Sequence, residues 1–297
     1  MAIDSTALDS RALDGNRYNQ SNGGDPLYPF GEFLMEGDVG FLRRYANGRL
    51  TRQSLGGAEC ESVCFQEQRP QVLAEISART SSGPSRRIVD LTLPIHAAMR
   101  GVTIEPTKTL ARNGWNTSTL TLYSHSGTHM DAPLHYLEGA AGIDRTSLAT
   151  CCGPAKLLDL TPVAPGELLT VTRLNAWADQ ICPGDRLLLR TDWHRRVGTD
   201  AYRDRLPRIS AELARWLVDK RISLLGVEPP SVADVNNPAE LIEIHRILLQ
   251  GNIVVVEGLG YLDQLRGTQF ELIVLPLRIV EGDGSPARAI AIETVLP

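Results

Sequence analysis

Cysteine is scarce and odd in number, five in 297 residues, so no small disulfide-stapled scaffold is implied. Lys and Arg form no block and the net charge is −5, which leaves no electrostatic footprint for nucleic acid or an anionic membrane. No apolar run approaches the roughly 18–20 residues of a membrane span. The N-terminus, M-A-I-D-S-T-A-L-D-S-R, has no basic region ahead of an apolar one, so no secretory signal is expected. No internal repeat is visible. These absences point to a reduced, cytoplasmic protein with a small-molecule substrate and neither a nucleic-acid nor a membrane partner. What is present is ordinary for a soluble globular chain: 42% hydrophobic and 22% charged residues, at a length that buries a full core.

Residues 1–86 differ from the rest. They are rich in Ser, Gly, Asn, Asp and Arg, with runs such as S-N-G-G-D-P (21–26) and T-S-S-G-P-S-R-R (80–87). An aromatic cluster (Tyr28, Phe30, Phe33, Phe41, Tyr45) and a helix-like run near 65–79 lie between them. The segment reads as a poorly ordered or peripheral N-terminal extension of unknown role. Cys60 and Cys64 are four apart but have no second pair to complete a zinc knuckle. From Arg87 the pattern becomes regular. Apolar and β-branched runs predict strands at 87–95, 118–124, 155–160, 185–191, 222–227, 252–257, 270–277 and 287–295. Helices fit 170–180, 210–220 and 239–250, the first two behind Thr170 and Ser210 as caps and the third at Pro238 after two asparagines. Strands outnumber helices and βα alternation is clear only over about 185–257, which predicts a single mixed α/β domain at 87–297 rather than a simple doubly wound sheet.

Only six histidines occur, and three of them fall in S-H-S-G-T-H-M-D-A-P-L-H-Y (124–136). His125, His129, Asp131 and His135 lie within eleven residues. Imidazoles and a carboxylate suit zinc, manganese or iron, and a histidine left unligated serves as acid or base. Gly127 and the Asp-Ala-Pro that follows argue against a continuous helix. His125 is expected at a strand end, His129 and Asp131 on a tight loop folding back toward it, and His135 on a short helix opened by Pro133. Downstream, His245 in A-E-L-I-E-I-H-R and Glu257 ending N-I-V-V-V-E are candidate partners, since α/β sheets place their chemistry at the C-terminal ends of buried strands.

The stretch H-S-G-T-H-M-D-A-P-L-H (125–135) resembles the H-x-G-T-H-x-D-x-P-x-H signature of the metal-dependent cyclase family, which includes kynurenine formamidase and isatin hydrolase types. The resemblance extends through His245, Glu257 and the closing run L-P-L-R-I-V-E-G-D-G-S-P-A-R-A (275–289). It implies a compact domain of the swivelling β/β/α type, usually a homodimer or homotetramer. It implies a first divalent ion, Zn or Mn, on His125, His129, Asp131 and Glu257. Asp131 and Glu257 would bridge to a second ion held also by His245, with His135 as the unligated acid/base. The reaction implied is arylformamidase-like hydrolysis of a formamide, cyclic amide or lactone, acting on C–N bonds other than peptide bonds. Two alternatives use the same cluster: a biosynthetic cyclase or dehydratase, and a metal-stabilised binding protein without turnover.

The chain departs from the family pattern in two places. The Trp-Pro-Gly segment that formamidases carry after the first strand is replaced by P-I-H-A-A-M-R-G-V-T-I-E-P (94–106), with Trp115 at a different offset. The D-x-P-S turn reads E-P-P-S (228–231). Elsewhere, His96 reads as a solvent-facing turn residue. Ser126 lacks a G-x-S-x-G elbow, Cys151–Cys152 reads as core filling, and G-L-G-Y (258–261) is too short for a dinucleotide loop.

Overall fold

The computed structural model describes residues 85–295, together with the backbone of three strands nearer the N-terminus. Those strands, β1 (Glu32–Glu36), β2 (Val39–Ala46) and β3 (Arg49–Ser54), pair antiparallel in that order. They belong to a unit spanning Met1–Gly83, distinct from the unit Pro84–Pro297. The helix-like run at 65–79 and the Cys60–Cys64 spacing lie outside the described residues.

The larger unit opens with β4 (Ser85–Asp90) and a two-stranded antiparallel hairpin of β5 (Val102–Lys108) and β6 (Thr117–Leu122). Then follow β7 (His129–Asp131), β8 (Cys152–Asp159), β9 (Leu168–Leu169), β10 (Arg186–Arg190), β11 (Arg208–Ile209), β12 (Leu224–Val227), β13 (Val254–Glu257), β14 (Gln269–Pro276) and β15 (Gly284–Val295). Eight of these form one mixed sheet in the order β14-β8-β10-β12-β13-β7-β15-β4, and a further β14–β15 pairing closes it on itself. The middle run β8-β10-β12-β13 is parallel, and the remaining pairings are antiparallel. This is the mixed α/β domain that the pattern of elements predicts.

Side chains alternate across a strand, and here both faces are apolar. Leu158, Leu187, Leu189, Leu225 and Val255 face a core shared with helices α1 (Ala211–Asp219) and α2 (Pro238–Gln250), which contribute Leu213, Leu217, Ile244 and Leu248. Leu157, Leu188, Leu224, Val256 and Met130 turn to the other side, where they meet Leu272, Val274, Ala289 and Ala291 of the closing strands. Parallel strands buried on both faces read as continuous apolar runs, which is why L-L-L and V-V-V mark β10 and β13.

Both helices begin as their caps predict. The Ser210 hydroxyl accepts from Leu213 N, and the Asn237 side chain accepts from Glu240 N with Pro238 in the first turn. The helix expected at 170–180 is broken instead into Val171–Leu174 and a 3-10 turn at Asn175–Trp177. Thr170 makes no side-chain cap bond there, and β-branched Val171 and Thr172 with Asn175 are weak helix formers. His129 and Asp131, expected on a tight loop, lie instead on strand β7, held between β13 on one edge and β15 on the other.

Candidate metal centre

Three elements converge on the site. In β7, Met130 points into the closed side of the sheet, so His129 and Asp131 point the opposite way. Glu257 is the cross-strand partner of His129 in the β13–β7 ladder, and Val255 is that of Asp131. His245 arrives from α2, between core residues Ile244 and Leu248. Gly258, just past β13, is at φ +66°, and a Cβ there would stand 2.4 Å from the Gly127 carbonyl. Only glycine lets the 125–128 turn close so tightly over the strand end.

His129, Asp131, His245 and Glu257 are all buried. His129 Nε2 lies 3.2 Å from Glu257 Oε2 and 3.8 Å from Asp131 Oδ1. His245 Nε2 lies 3.3 Å from Glu257 Oε1 and 3.6 Å from Asp131 Oδ2. His125 Nδ1 lies 3.0 Å from Asp131 Oδ1. Each carboxylate thus offers one oxygen toward each side, and the donor atoms form three overlapping triads: His125, His129 and Asp131; Asp131, His245 and Glu257; and, on the outer side, His125, His135 and Asp283.

The protons on two of the rings are already committed. His129 Nδ1–H donates to the Gly127 carbonyl at 2.9 Å, and His245 Nδ1–H donates to the Leu241 carbonyl at 2.7 Å. In the neutral tautomer this leaves each Nε2 as a bare lone pair facing carboxylate oxygens. Such an arrangement is stable only with a second proton on each ring or a cation between the groups. His129 Nε2 and Asp131 Oδ2 are buried with no hydrogen-bond partner. Imidazole nitrogens and carboxylate oxygens at these spacings are a fitting donor set for a divalent ion.

The electrostatics follow. Burial alone would raise the Glu257 carboxyl, but the imidazoles of His129 and His245 outweigh it and hold it below the ordinary carboxylate range. Burial pulls His125 down, yet the bond and charge of Asp131, then Asp283, raise it to about 9. His135 is on the 3-10 turn Pro133–His135 that Pro133 opens. Burial, reinforced by the nearby His125 and His245 and opposed by the Asp131 charge, holds its pKa below the usual histidine value. The His135 ring stacks on His125 at 4.1 Å between centroids.

The fold therefore brings together all six residues singled out in the sequence, His125, His129, Asp131, His135, His245 and Glu257. Two further groups were missed. Asp283, between Gly282 and Gly284, accepts from His125 Nε2–H at 3.1 Å; it lies in the closing run 275–289 that shares the family resemblance, but nothing there singled out the aspartate. Tyr136 stacks on His245 at 4.5 Å and meets His135 edge-on, and nothing but adjacency to His135 marked it. The other candidates stay apart. His96 is exposed in a turn after β4. The Ser126 hydroxyl is buried without a partner, and the Cys151 thiol is pushed up to about 11 by burial and by Cys152. Glu228 is buried in a separate cluster.

A closed mixed sheet with this donor set at one strand end is the arrangement that the resemblance to the cyclase family implies, and comparison with known proteins agrees. The pattern of the family described as "Putative cyclase" matches residues 89–234. Over 215 residues the chain is 30% identical to the kynurenine formamidase of Bordetella petrii, covering 69% of this chain and 97% of that protein. An isatin hydrolase bound to the product analogue thioisatinate superposes with a TM-score of 0.64 at 25% identity, covering 76% of this chain and 98% of that one. A potential metal-dependent hydrolase with cyclase activity superposes with a TM-score of 0.59 at 26% identity, covering 72% and 100%. The chain belongs to the cyclase family. It is an enzyme of the hydrolase class, similar to arylformamidases, which act on C–N bonds other than peptide bonds. Among the described residues no helix is long and apolar enough to cross a membrane.

Proposed function

We propose that this enzyme hydrolyses the C–N bond of an aromatic formamide or cyclic amide, or the ester bond of a lactone, with one or two divalent ions, zinc or manganese, held by His125, His129, Asp131, His245 and Glu257. The observation that carries the metal reading is the pair of Nε2 lone pairs aimed at Asp131 and Glu257, both rings having their Nδ1–H bonded to main-chain carbonyls. An ion bound there supplies a lowered pKa for water and polarisation of a substrate carbonyl. The protein's own part is proton movement. His135, unprotonated at neutral pH because of its burial, takes the proton released as water adds to the carbonyl carbon. It then returns that proton to the departing nitrogen or oxygen. Tyr136 stacks on His245 and covers one face of that ring.

The similarity to a kynurenine formamidase and an isatin hydrolase supports an aromatic ring beside the cleaved bond. The missing Trp-Pro-Gly segment means that the walls around that ring differ from those of formamidases. We further propose a homodimer or homotetramer in the cytoplasm, where the free thiols Cys151, Cys152 and Cys182 stay reduced. The deciding experiment is metal analysis of the purified protein together with a panel of aryl formamides, isatin and lactones, assayed with and without chelator. Turnover of one class, lost with chelator and restored by zinc or manganese, is expected. Stoichiometric metal with no hydrolysis of any class would sink this reading.

A further inference from the structure

The G-D-G segment at 282–284 takes no part in the ligand set above, yet it is built around the outer edge of the His125 ring. His125 lies with Nδ1 inward, 3.0 Å from Asp131 Oδ1, and Nε2 outward, 3.1 Å from Asp283 Oδ2. The same Asp283 oxygen stands 3.8 Å from His135 Nδ1, and it accepts a further bond from the Ser124 hydroxyl at 3.3 Å. The backbone beside it is shaped to the ring. A Cβ added at Gly284 would stand 2.7 Å from His125 Cε1 and 3.2 Å from Nε2. Gly284 is also the β15 partner of Asp131, so one short segment fixes both the register of the Asp131 strand and the position of the His125 edge.

Each nitrogen of an imidazole decides the state of the other. A ring that donates Nε2–H to a carboxylate presents Nδ1 as a lone pair, and such outer partners raise ligand basicity and lock ring orientation. Without Asp283 the His125 ring is free to carry its proton on Nδ1, where it would bond Asp131 and block both atoms from a cation. Resting on the proposed metal-dependent function, we propose that Asp283 is the positioning residue of the centre: it holds His125 in the Nε2–H tautomer with Nδ1 facing the ion, in the space that Gly284 leaves open. About half of the Asp283 side chain is exposed (47%), so the expected effect is the moderate one of an outer partner, not the loss of a ligand.

The test is calorimetric titration of the full-length apo chain with Zn(II), alongside 15N NMR of its histidine rings in the zinc-loaded state. Asp283→Ala should weaken zinc binding by about 10–100-fold and remove the His125 Nε2–H signature. Asp283→Asn keeps an acceptor oxygen and should lose less than Asp283→Ala. Gly284→Ala removes no polar group, but its Cβ crowds the ring and stands 2.9 Å from the Met130 carbonyl; it too should weaken binding, and the metal-free melting curve reports whether the fold is kept. Wild-type affinity in Asp283→Ala, or a proton on His125 Nδ1 in the loaded wild type, overturns this role alone. A wild-type chain that binds no divalent ion overturns the proposed function and this role with it.

Discussion

The clusters around Glu228 and Glu257 are assembled from the same parts, and they behave oppositely. Each glutamate is buried at the end of a parallel strand, β12 or β13, with histidine beside it. At Glu228 both carboxylate oxygens meet donors, although the far nitrogen of His194 stands 3.6 Å from Asp263 Oδ1, which is buried without a hydrogen-bond partner. Oε2 accepts from Thr191 N at 2.6 Å, the Thr191 hydroxyl at 2.9 Å and Trp193 N at 3.2 Å, and Oε1 accepts from His194 Nδ1–H at 2.7 Å. At Glu257 one main-chain N–H, from Val232 at 2.7 Å, reaches Oε1. The facing imidazole nitrogens have no proton to give in their neutral form. A carboxylate saturated with N–H and O–H donors is a structural group, whereas one that faces imidazole Nε2 atoms needs a second proton on each ring or a cation between the groups.

Exchanging each glutamate for glutamine tests that contrast directly, and the largest effect is expected at Glu257. Glu257→Gln puts an amide where a shared anionic ligand stood, so the chain should lose stoichiometric zinc in calorimetry and all chelator-sensitive turnover. His135→Ala comes next. The ring is outside the ligand set, so metal binding should stay while turnover falls by about 10²–10⁴-fold, the range for a lost acid/base. If that variant kept near-full activity, the role given to His135 would be wrong.

Glu228→Gln should do the reverse of Glu257→Gln. An amide NH2 at Oε2 would face three donors, and loss of bonds to a charged acceptor costs about 1.5–3 kcal/mol. A lowered denaturant midpoint with unchanged zinc affinity is expected. A variant with unchanged stability but weakened zinc binding would place Glu228 in the metal centre and erase the distinction between the clusters.

How much of this could be read before the fold was known depends on distance along the chain. The motif from His125 to His135 is local, so its residue types and spacing already carried the chemistry. The buried strands β10, β12 and β13 were visible as apolar runs for the same reason. What escaped was set by partners far away. A three-residue segment at His129–Asp131 looks like a loop between Gly127 and Pro133, and it becomes a strand only because β13 and β15 flank it. The hairpin strand β5 was missed because it contains Pro106 and, past Val102, is exposed throughout, leaving no alternation to detect. Asp283 reaches His125 across 158 residues, and no spacing rule spans that interval. Glu228 stood out only as a departure from D-x-P-S, and its four hydrogen bonds come from residues 34–37 positions away.

The smallest predicted effect concerns a third carboxylate, Glu293 near the C-terminal end of β15, opposite Arg87 of β4 and saturated as Glu228 is. It accepts from Arg266 N at 2.7 Å and Gly267 N at 2.9 Å and pairs with the Arg87 guanidinium. Burial alone would raise its pKa, but these donors outweigh burial and hold it below the ordinary value of 4.5. A carboxyl whose folded pKa is depressed stabilises the fold above its unfolded pKa, and that contribution is lost as pH falls through the folded pKa. Glu293→Gln should therefore lower the unfolding free energy by about 1 kcal/mol at neutral pH. The gap to wild type should close as acid takes the pH below about 4.5, read from urea titrations across that range. A gap that stayed constant with pH would mean that shape, not charge, makes the Glu293 contacts matter. Glu293 would then hold its neighbours through packing and not through its charge.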